Sequence, residues 1–243
     1  LSFKYPWNDK DIVDGAFLRI YKGEMISLVG ANGAGKSTLS RLMTGEEKPQ
    51  SGHIYWKGHE VSDIDADEAE NFVGYVPQNP KDSLSQETVY EEIALKLKQR
   101  NLPDDEIQRK VDEVAKVCGL QYIKDLPLSM LSFGQLKRVS IAAVLALDPE
   151  LIILDEPAAG QDFSHYKDIM HFLQRIHQNG VTVVIVTHDM HLMLEYTRRA
   201  VVMAKGKIVA DTSYAFVLIN PRLTQLASLK ETTLFTFANQ IGM

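Results

Sequence analysis

The sequence predicts an α/β fold built on a mostly parallel sheet, with a small antiparallel β region and a helical lobe inserted in the middle. Three observations carry that expectation. First, the run Met25-Ile26-Ser27-Leu28-Val29 leads into Gly30-Ala31-Asn32-Gly33-Ala34-Gly35-Lys36-Ser37-Thr38, and then into apolar residues at Leu39, Leu42 and Met43. That is the strand, glycine-rich turn and helix of a P-loop, G-x-x-x-x-G-K-[ST]. Second, Leu151 to Leu154 and Val181 to Val186 are continuous apolar runs separated by a helical segment, as expected of parallel strands covered on both faces. Third, from Asn79 onward the pattern changes from strand alternation to helical periodicity.

Each element follows in order. Residues 1–29 read as strands joined by turns, with Lys22-Gly23-Glu24 turning into the strand before the P-loop. The P-loop helix ends at Gly45, and 48–52 form a loop. His53 to Trp56 reads as a short strand, with Lys57-Gly58 as a hairpin turn, and Phe72 to Val76 as another strand stopped by Pro77. Thr88-Val89-Tyr90-Glu91 is a capping box, after which Val89, Ile93 and Leu97 share a helical face. Leu102-Pro103-Asp104 starts a second helix, with Ile107, Val111, Val114 and Cys118 inward and Gly119 closing it. Leu131-Ser132-Phe133-Gly134-Gln135 precedes a third, which ends at Asp148-Pro149. A helix around Ile169, Phe172 and Ile176 closes at Asn179-Gly180, and Val201–Met203 with Ile208–Ala210 form a closing hairpin.

Composition narrows the function. With 243 residues, 45% of them hydrophobic, the chain can bury a sizeable core. A net charge of −6 provides no global basic field for nucleic acid. One cysteine, Cys118, excludes an intrachain disulfide framework and fits a reducing compartment, and its place among apolar residues marks it as core. No apolar run approaches the ~20 residues of a membrane span. The chain starts at Leu1 in the midst of an alternating Leu1, Phe3, Tyr5 pattern, which predicts a trimmed chain or part of a longer polypeptide. His165, His171 and His177 are spaced by six and scatter around a helix, so no transition-metal site is expected.

The chemistry follows from charge and position. Glycines let backbone N–H groups turn around phosphate oxygens, Lys36 can reach the β- and γ-phosphates, and the Ser37 hydroxyl can ligate magnesium. The strand from Leu151 delivers Asp155 and Glu156 to the carboxyl edge of the sheet, where ligands bind in open α/β folds. Asp155 is placed to hold magnesium, and Glu156 to orient or deprotonate an attacking water.

Gly30–Thr38, Gln78, Leu131–Gln135, Leu151–Glu156 and His188 stand in the order found in ATP-binding-cassette (ABC) ATPases, which the chain resembles over residues 1–210. There these are the Walker A, Q-loop, signature, Walker B and switch histidine. The resemblance implies a P-loop NTPase with the helical lobe, 79–147, inserted in a cassette domain 1–210, followed by a short helical tail, 211–243. It implies ATP and Mg2+ as cofactors and a head-to-tail pairing with a second ABC ATPase cassette, identical, different or fused. Gly30 to Thr38 would bind nucleotide, with Tyr5 stacking on adenine; Tyr5 also reads as a plain core aromatic. Ser132, Gly134 and Gln135 would contact the partner's ATP, and Asp162 would form the D-loop. Catalysis would rest on Glu156, His188 and Gln78, and magnesium on Ser37, Gln78 and Asp155. Two positions depart from the family pattern: Phe133 where glycine is usual, and Gln161 where leucine is usual.

Three classes of ABC protein compete: a transporter motor, a DNA-repair or chromosome ATPase, and a translation factor. The short interval from Gln78 to Leu131 leaves no room for a long coiled coil, and a second cassette is absent from the chain. Transport therefore leads. Gln78-Asn79-Pro80, Thr88 to Ala94, and the tail with Asn220-Pro221-Arg222-Leu223, Leu226, Leu229, Thr233 and Ala238 to Gly242 resemble energy-coupling factor (ECF) ATPases. These are importer motors for vitamins and transition-metal ions. That resemblance implies a transmembrane coupling subunit, a substrate-binding membrane subunit, no nucleic acid, and a peripheral place at the cytoplasmic face of the cell membrane. The amphipathic tail also reads as a generic pair of helices.

Overall fold

The structure, a computed structural model, describes residues 1–64, 66–157, 163–188 and 195–226. The chain divides into two compact units: Leu1–Ala69 with the segment from Thr182 onward, and Glu70–Val181.

The first unit is built around β1 (Met25–Gly30). β1 lies between β6 (Thr182–Thr187) and β7 (Arg199–Ala204) and is parallel to both. Antiparallel β8 (Lys207–Ser213) extends the sheet beyond β7. Ile26, Leu28, Val29 and every residue of β6 are buried, and each such aliphatic side chain contributes about 1.5–3 kcal/mol. β8 alternates between exposed and half-buried residues, as an edge strand does. The helix α1 (Lys36–Thr44) leaves β1 through the glycine-rich turn and ends at Gly45, left-handed at φ 81°. β2 (Tyr55–Trp56) and β3 (His59–Glu60) make an antiparallel hairpin through Lys57-Gly58, as the turn signal predicts.

Before β1 the expectation of strands is only partly met. The segment makes isolated bridges, Ser2 with Ser51 and Phe3 with Val13. Pro6, which lacks an N–H to donate, and the left-handed Gly15 interrupt the alternation. A helix, α2 (Ala66–Phe72), fills a stretch where the sequence offered no element, since its apolar residues are only Ala66, Ala69 and Phe72. After β8, α7 (Tyr214–Ile219) and α8 (Pro221–Leu226) place Val217, Leu218 and Leu223 in one cluster with Val29, Ala200 and Val202. Asn220 starts α8 by accepting hydrogen bonds from the amides of Arg222 (3.1 Å) and Leu223 (3.3 Å). The remainder of the tail, including Leu229 and Thr233, lies outside the described residues.

In the second unit, β4 (Val73–Val76) pairs in parallel with β5 (Leu151–Asp155). The helices α3 (Val89–Gln99), α4 (Asp104–Cys118) and α5 (Phe133–Leu145) pack on one another, and α6 (Phe163–Gln178) follows β5. The predicted stripes are the buried ones: Val89, Ile93 and Leu97 on α3, and Ile107, Val111, Val114 and Cys118 on α4. Burial pushes the Cys118 thiol up to about 12, so it stays protonated and unreactive, as its core reading requires. α5 begins earlier than the sequence suggests. Ser132 is its N-cap and Phe133 to Gln135 form its first turn, because Ser132 and Gln135 make a capping box of their own.

The predicted capping box of α3 has both arms: the Thr88 amide donates to Glu91 Oε2 (3.0 Å), and the Glu91 amide donates to Thr88 Oγ1 (3.2 Å). Thr88→Ala should therefore cost about 1 kcal/mol. In a chain of this size that lowers Tm by about 2–4 °C, read by calorimetry.

Candidate functional site

In the first unit, the P-loop passes between two other stretches of main chain. A Cβ on Gly30 would stand 2.2 Å from the Met203 carbonyl oxygen of β7. One on Gly35, whose φ is +102°, would stand 2.5 Å from the Ile12 carbonyl oxygen. Neither space admits a side chain. The loop is braced further by the Gly206 amide, which donates to the Ala34 carbonyl (3.0 Å), and by the Asp14 amide, which donates to the Gly206 carbonyl (2.8 Å).

α1 then opens on Gly35 with no side-chain cap and no acidic residue in its first turn. Its positive end is thereby left for an external anion instead of a side-chain carboxylate of its own. Lys36 is buried, 7% exposed, and its Nζ donates to the carbonyls of Gly30 (2.8 Å) and Ala31 (3.1 Å). The ammonium is thus held over the loop. Ser37 is exposed on the first turn and Thr38 is buried. Val29 is paired with Thr187, so the exposed His188, one residue further on, stands at the same sheet edge as Gly30. These residues suit a polyphosphate: oriented amides, a cation, a hydroxyl and a further imidazole donor.

Tyr5 is half-buried and stacks almost parallel on Trp7, with ring centroids 4.9 Å apart and planes 9° apart; its other ring contact is Phe3, edge-on. Trp7 is 77% exposed. The sequence reading missed this indole, because only the fold of the turn brings position 7 over position 5.

In the second unit, the register Val76 to Leu154 brings the residues that follow β4 and β5 to one edge. Asp155 is buried, and Tyr75 Oη donates to its Oδ2 (3.0 Å). Glu156 holds a left-handed φ of 44°, a backbone conformation that costs a non-glycine residue on the order of 1–3 kcal/mol and concentrates at functional sites. Gln78 is exposed just past β4. Its carbonyl and that of Pro77 accept hydrogen bonds from Lys137 Nζ, at 2.9 and 2.6 Å. Lys137 is completely buried. Burial pulls its ammonium down to about 8, while the carboxylates of Asp155 and Glu156 pull in the opposite direction.

At the start of α5, the Ser132 amide donates to Gln135 Oε1 (2.9 Å) and the Gln135 amide donates to Ser132 Oγ (3.3 Å). Ser132, Gly134 and Gln135 line a cavity of about 330 Å3 together with Arg138 and Asp168. Phe133, the departure in the signature, is 39% exposed and occupies the first helical turn without breaking it.

The structure thus gathers the P-loop, Lys36, Ser37 and His188 in one unit, and Gln78, Asp155, Glu156 and the signature in the other. Asp162 and Gln161 of the D-loop lie outside the described residues. Sequence reasoning missed the roles of Tyr75 and of the buried Lys137. Lys137 carried a usable signal, since it shares the apolar face of α5 with Ile141, four residues on.

Residues 13–159 match the model of the ABC transporter family. A protein of Enterococcus faecalis provisionally named an ABC transporter ATP-binding protein is 49% identical over 243 residues, which is 100% of this chain and 43% of that protein. A protein of the same provisional name in Lactiplantibacillus plantarum is 48% identical over 239 residues, 98% of this chain and 42% of its own length. The chain therefore spans less than half the length of the curated relatives it matches. Among solved structures, CbiO1 of Clostridium perfringens, part of the ABC transporter complex CbiONQ, superposes at a TM-score of 0.83 with 31% identity, covering 100% of this chain and 96% of that one. A dimeric ATP-binding cassette in a post-hydrolysis state, bound to ADP and Pi, superposes at 0.76 with 26% identity, covering 88% and 95%. The matched stretch runs through the P-loop cradle to the carboxylates at the end of β5, and on that ground the chain belongs to the ABC transporter family, whose ATP-binding domains are ATPases.

Proposed function

We propose that this chain is the ATP-hydrolysing motor of an ABC importer of the energy-coupling factor type. It works in a head-to-tail cassette pair on a transmembrane coupling subunit and a substrate-binding membrane subunit, at the cytoplasmic face of the membrane. The cargo is a vitamin or a metal ion. The observation that carries this reading is the likeness, over the whole chain, to CbiO1, itself part of a transporter complex. The second cassette is an identical chain, a different one, or one carried on the same polypeptide.

The residues divide the work by their chemistry. The amides of Gly30 to Thr38 and the Lys36 ammonium bind the β- and γ-phosphates, which the uncapped start of α1 favours. Ser37, Gln78 and Asp155 offer a hydroxyl, an amide oxygen and a carboxylate, the hard oxygen donors that suit Mg2+. A bound magnesium would supply charge neutralisation at the phosphate oxygens. Tyr75 holds Asp155 Oδ2 in place for that purpose. Glu156 orients the attacking water and accepts its proton, and the strained backbone beneath it supports that assignment. His188 hydrogen-bonds the γ-phosphate from the strand end beside Gly30. Ser132, Gly134 and Gln135 present the start of α5 to the nucleotide held by the partner, and Asp162 links the two sites. ATP then binds the closed pair more tightly than the open one, and that difference in affinity drives closure. Hydrolysis removes it.

Three measurements test these roles. Glu156→Gln should bind ATP with unchanged affinity, lose at least about 100-fold in turnover, and accumulate as a closed pair on size-exclusion chromatography. A turnover rate equal to wild type removes Glu156 from its role. Lys36→Ala should weaken ATP binding at least about tenfold, the loss of one charge-assisted contact; undiminished affinity in titration calorimetry removes Lys36 from the phosphates. For Tyr5, Trp56→Phe leaves Trp7 as the one remaining tryptophan of the two in this chain. ATP should then change Trp7 emission while inorganic tripolyphosphate does not, and an emission blind to ATP would detach Tyr5 from the base.

A further inference from the structure

Lys137 is among the largest fully buried side chains in the described residues, and it carries a charge. A buried ammonium is costly, and an apolar side chain of similar length would fill the same space without that cost. What the ammonium adds is direction. Two of its three protons go to consecutive carbonyls, Pro77 at 2.6 Å and Gln78 at 2.9 Å, at the point where the chain leaves β4. The carboxylates of Asp155 and Glu156 are close enough to favour its charged form. Its Cα lies on α5, five residues after the N-cap Ser132. One side chain therefore connects the signature helix, the main chain of the Q-loop and the field of the acids that end β5, all within one compact unit.

We propose that Lys137 is a positioning residue that ties the main chain at Pro77-Gln78 to the signature helix, so that the placement of Gln78 follows the position of α5. The physical ground is reach. A hydrogen bond weakens steeply outside a narrow range of distance and angle, so a shift of α5 along its axis either carries the two carbonyls with it or breaks both bonds. Contact made by Ser132 and Gly134 is thereby felt at Gln78 without any change in the side chain of Gln78 itself. Pro77 is half-buried and Gln78 exposed, so the tethered main chain lies at the margin of the core rather than within it. Removing the amine takes this donor from both carbonyls and releases the tether. The proposal rests on the roles given above to Gln78 and Glu156.

The test uses Lys137→Met, which keeps length and apolar volume, and Lys137→Gln, whose amide can still donate to a carbonyl. Three quantities are read on the purified chain in its paired form: affinity for a fluorescent ATP analogue, phosphate release at saturating ATP, and amide exchange by mass spectrometry. For Lys137→Met we expect nucleotide affinity within about twofold of wild type and turnover lowered about tenfold or more. Exchange should be faster across residues 78–83 and unchanged across β1 and α1. Lys137→Gln should lie between the two. A folded Lys137→Met with turnover within twofold overturns the proposal. So does a variant in which affinity, turnover and exchange everywhere decline together, since that is the signature of an ordinary core residue. Should Lys137→Met not fold, the same three readings on Lys137→Gln decide by the same criteria. Glu156→Gln, run alongside, separates the two layers. Turnover retained there overturns the role of Glu156, whereas turnover lost there but kept in Lys137→Met overturns only the tether.

Discussion

At Gly30 main chain meets main chain, with so little clearance that a single added carbon would lie 2.2 Å from the Met203 carbonyl. The rest of the phosphate end of the first unit depends on that approach. It holds the turn against β7, and the Ile12 carbonyl closes the other side at Gly35. The helix is then free to begin without a cap of its own. Because β1 is buried and parallel to β6, the same placement fixes His188 at the shared edge. A rigid strand positions a reactive loop, and the loop needs few side chains to hold it.

Two lysines in the described residues show how a cation can be buried for different ends. Lys36 and Lys137 both place their ammonium on pairs of backbone carbonyls, at 2.6 to 3.1 Å. Backbone carbonyls are dipoles without net charge, and they offset part of the desolvation cost of each ammonium. For Lys36 the carbonyls belong to the loop that it would leave to meet a phosphate. For Lys137 they belong to a different segment from its own helix, which makes the bond a tether. The carboxylates of Asp155 and Glu156 near Lys137 lower the cost further. The chemistry is the same; only the topology of the acceptors differs.

How much of this was legible in the sequence depended on whether the cause was local. Gly35, Gly45 and Gly119 mark helix ends because the left-handed backbone at each favours glycine. The Thr88–Glu91 box and the α4 stripe were readable for the same reason: the interacting residues are three or four positions apart. The first 24 residues misled because alternation alone cannot show that Pro6 and Gly15 interrupt pairing. α2 was missed because an acidic stretch with three apolar residues carries almost no period. At the site, residue types pointed to phosphate and water chemistry, but Tyr75 on Asp155, Trp7 on Tyr5 and Lys137 on Gln78 are contacts made by the fold. A single lysine in an apolar stripe is ordinarily read as a stem with its head in solvent, and here the head is inside.

The mutual pairing of Ser132 and Gln135 has a cost for anything that docks on that helix start. Their side chains already serve each other's amides, so an incoming anion competes with an internal bond worth about 1 kcal/mol, or roughly fivefold in association. Such an end grips more weakly than a bare one would. In the head-to-tail cycle proposed above, that built-in competition would set a ceiling on dwell time and favour release.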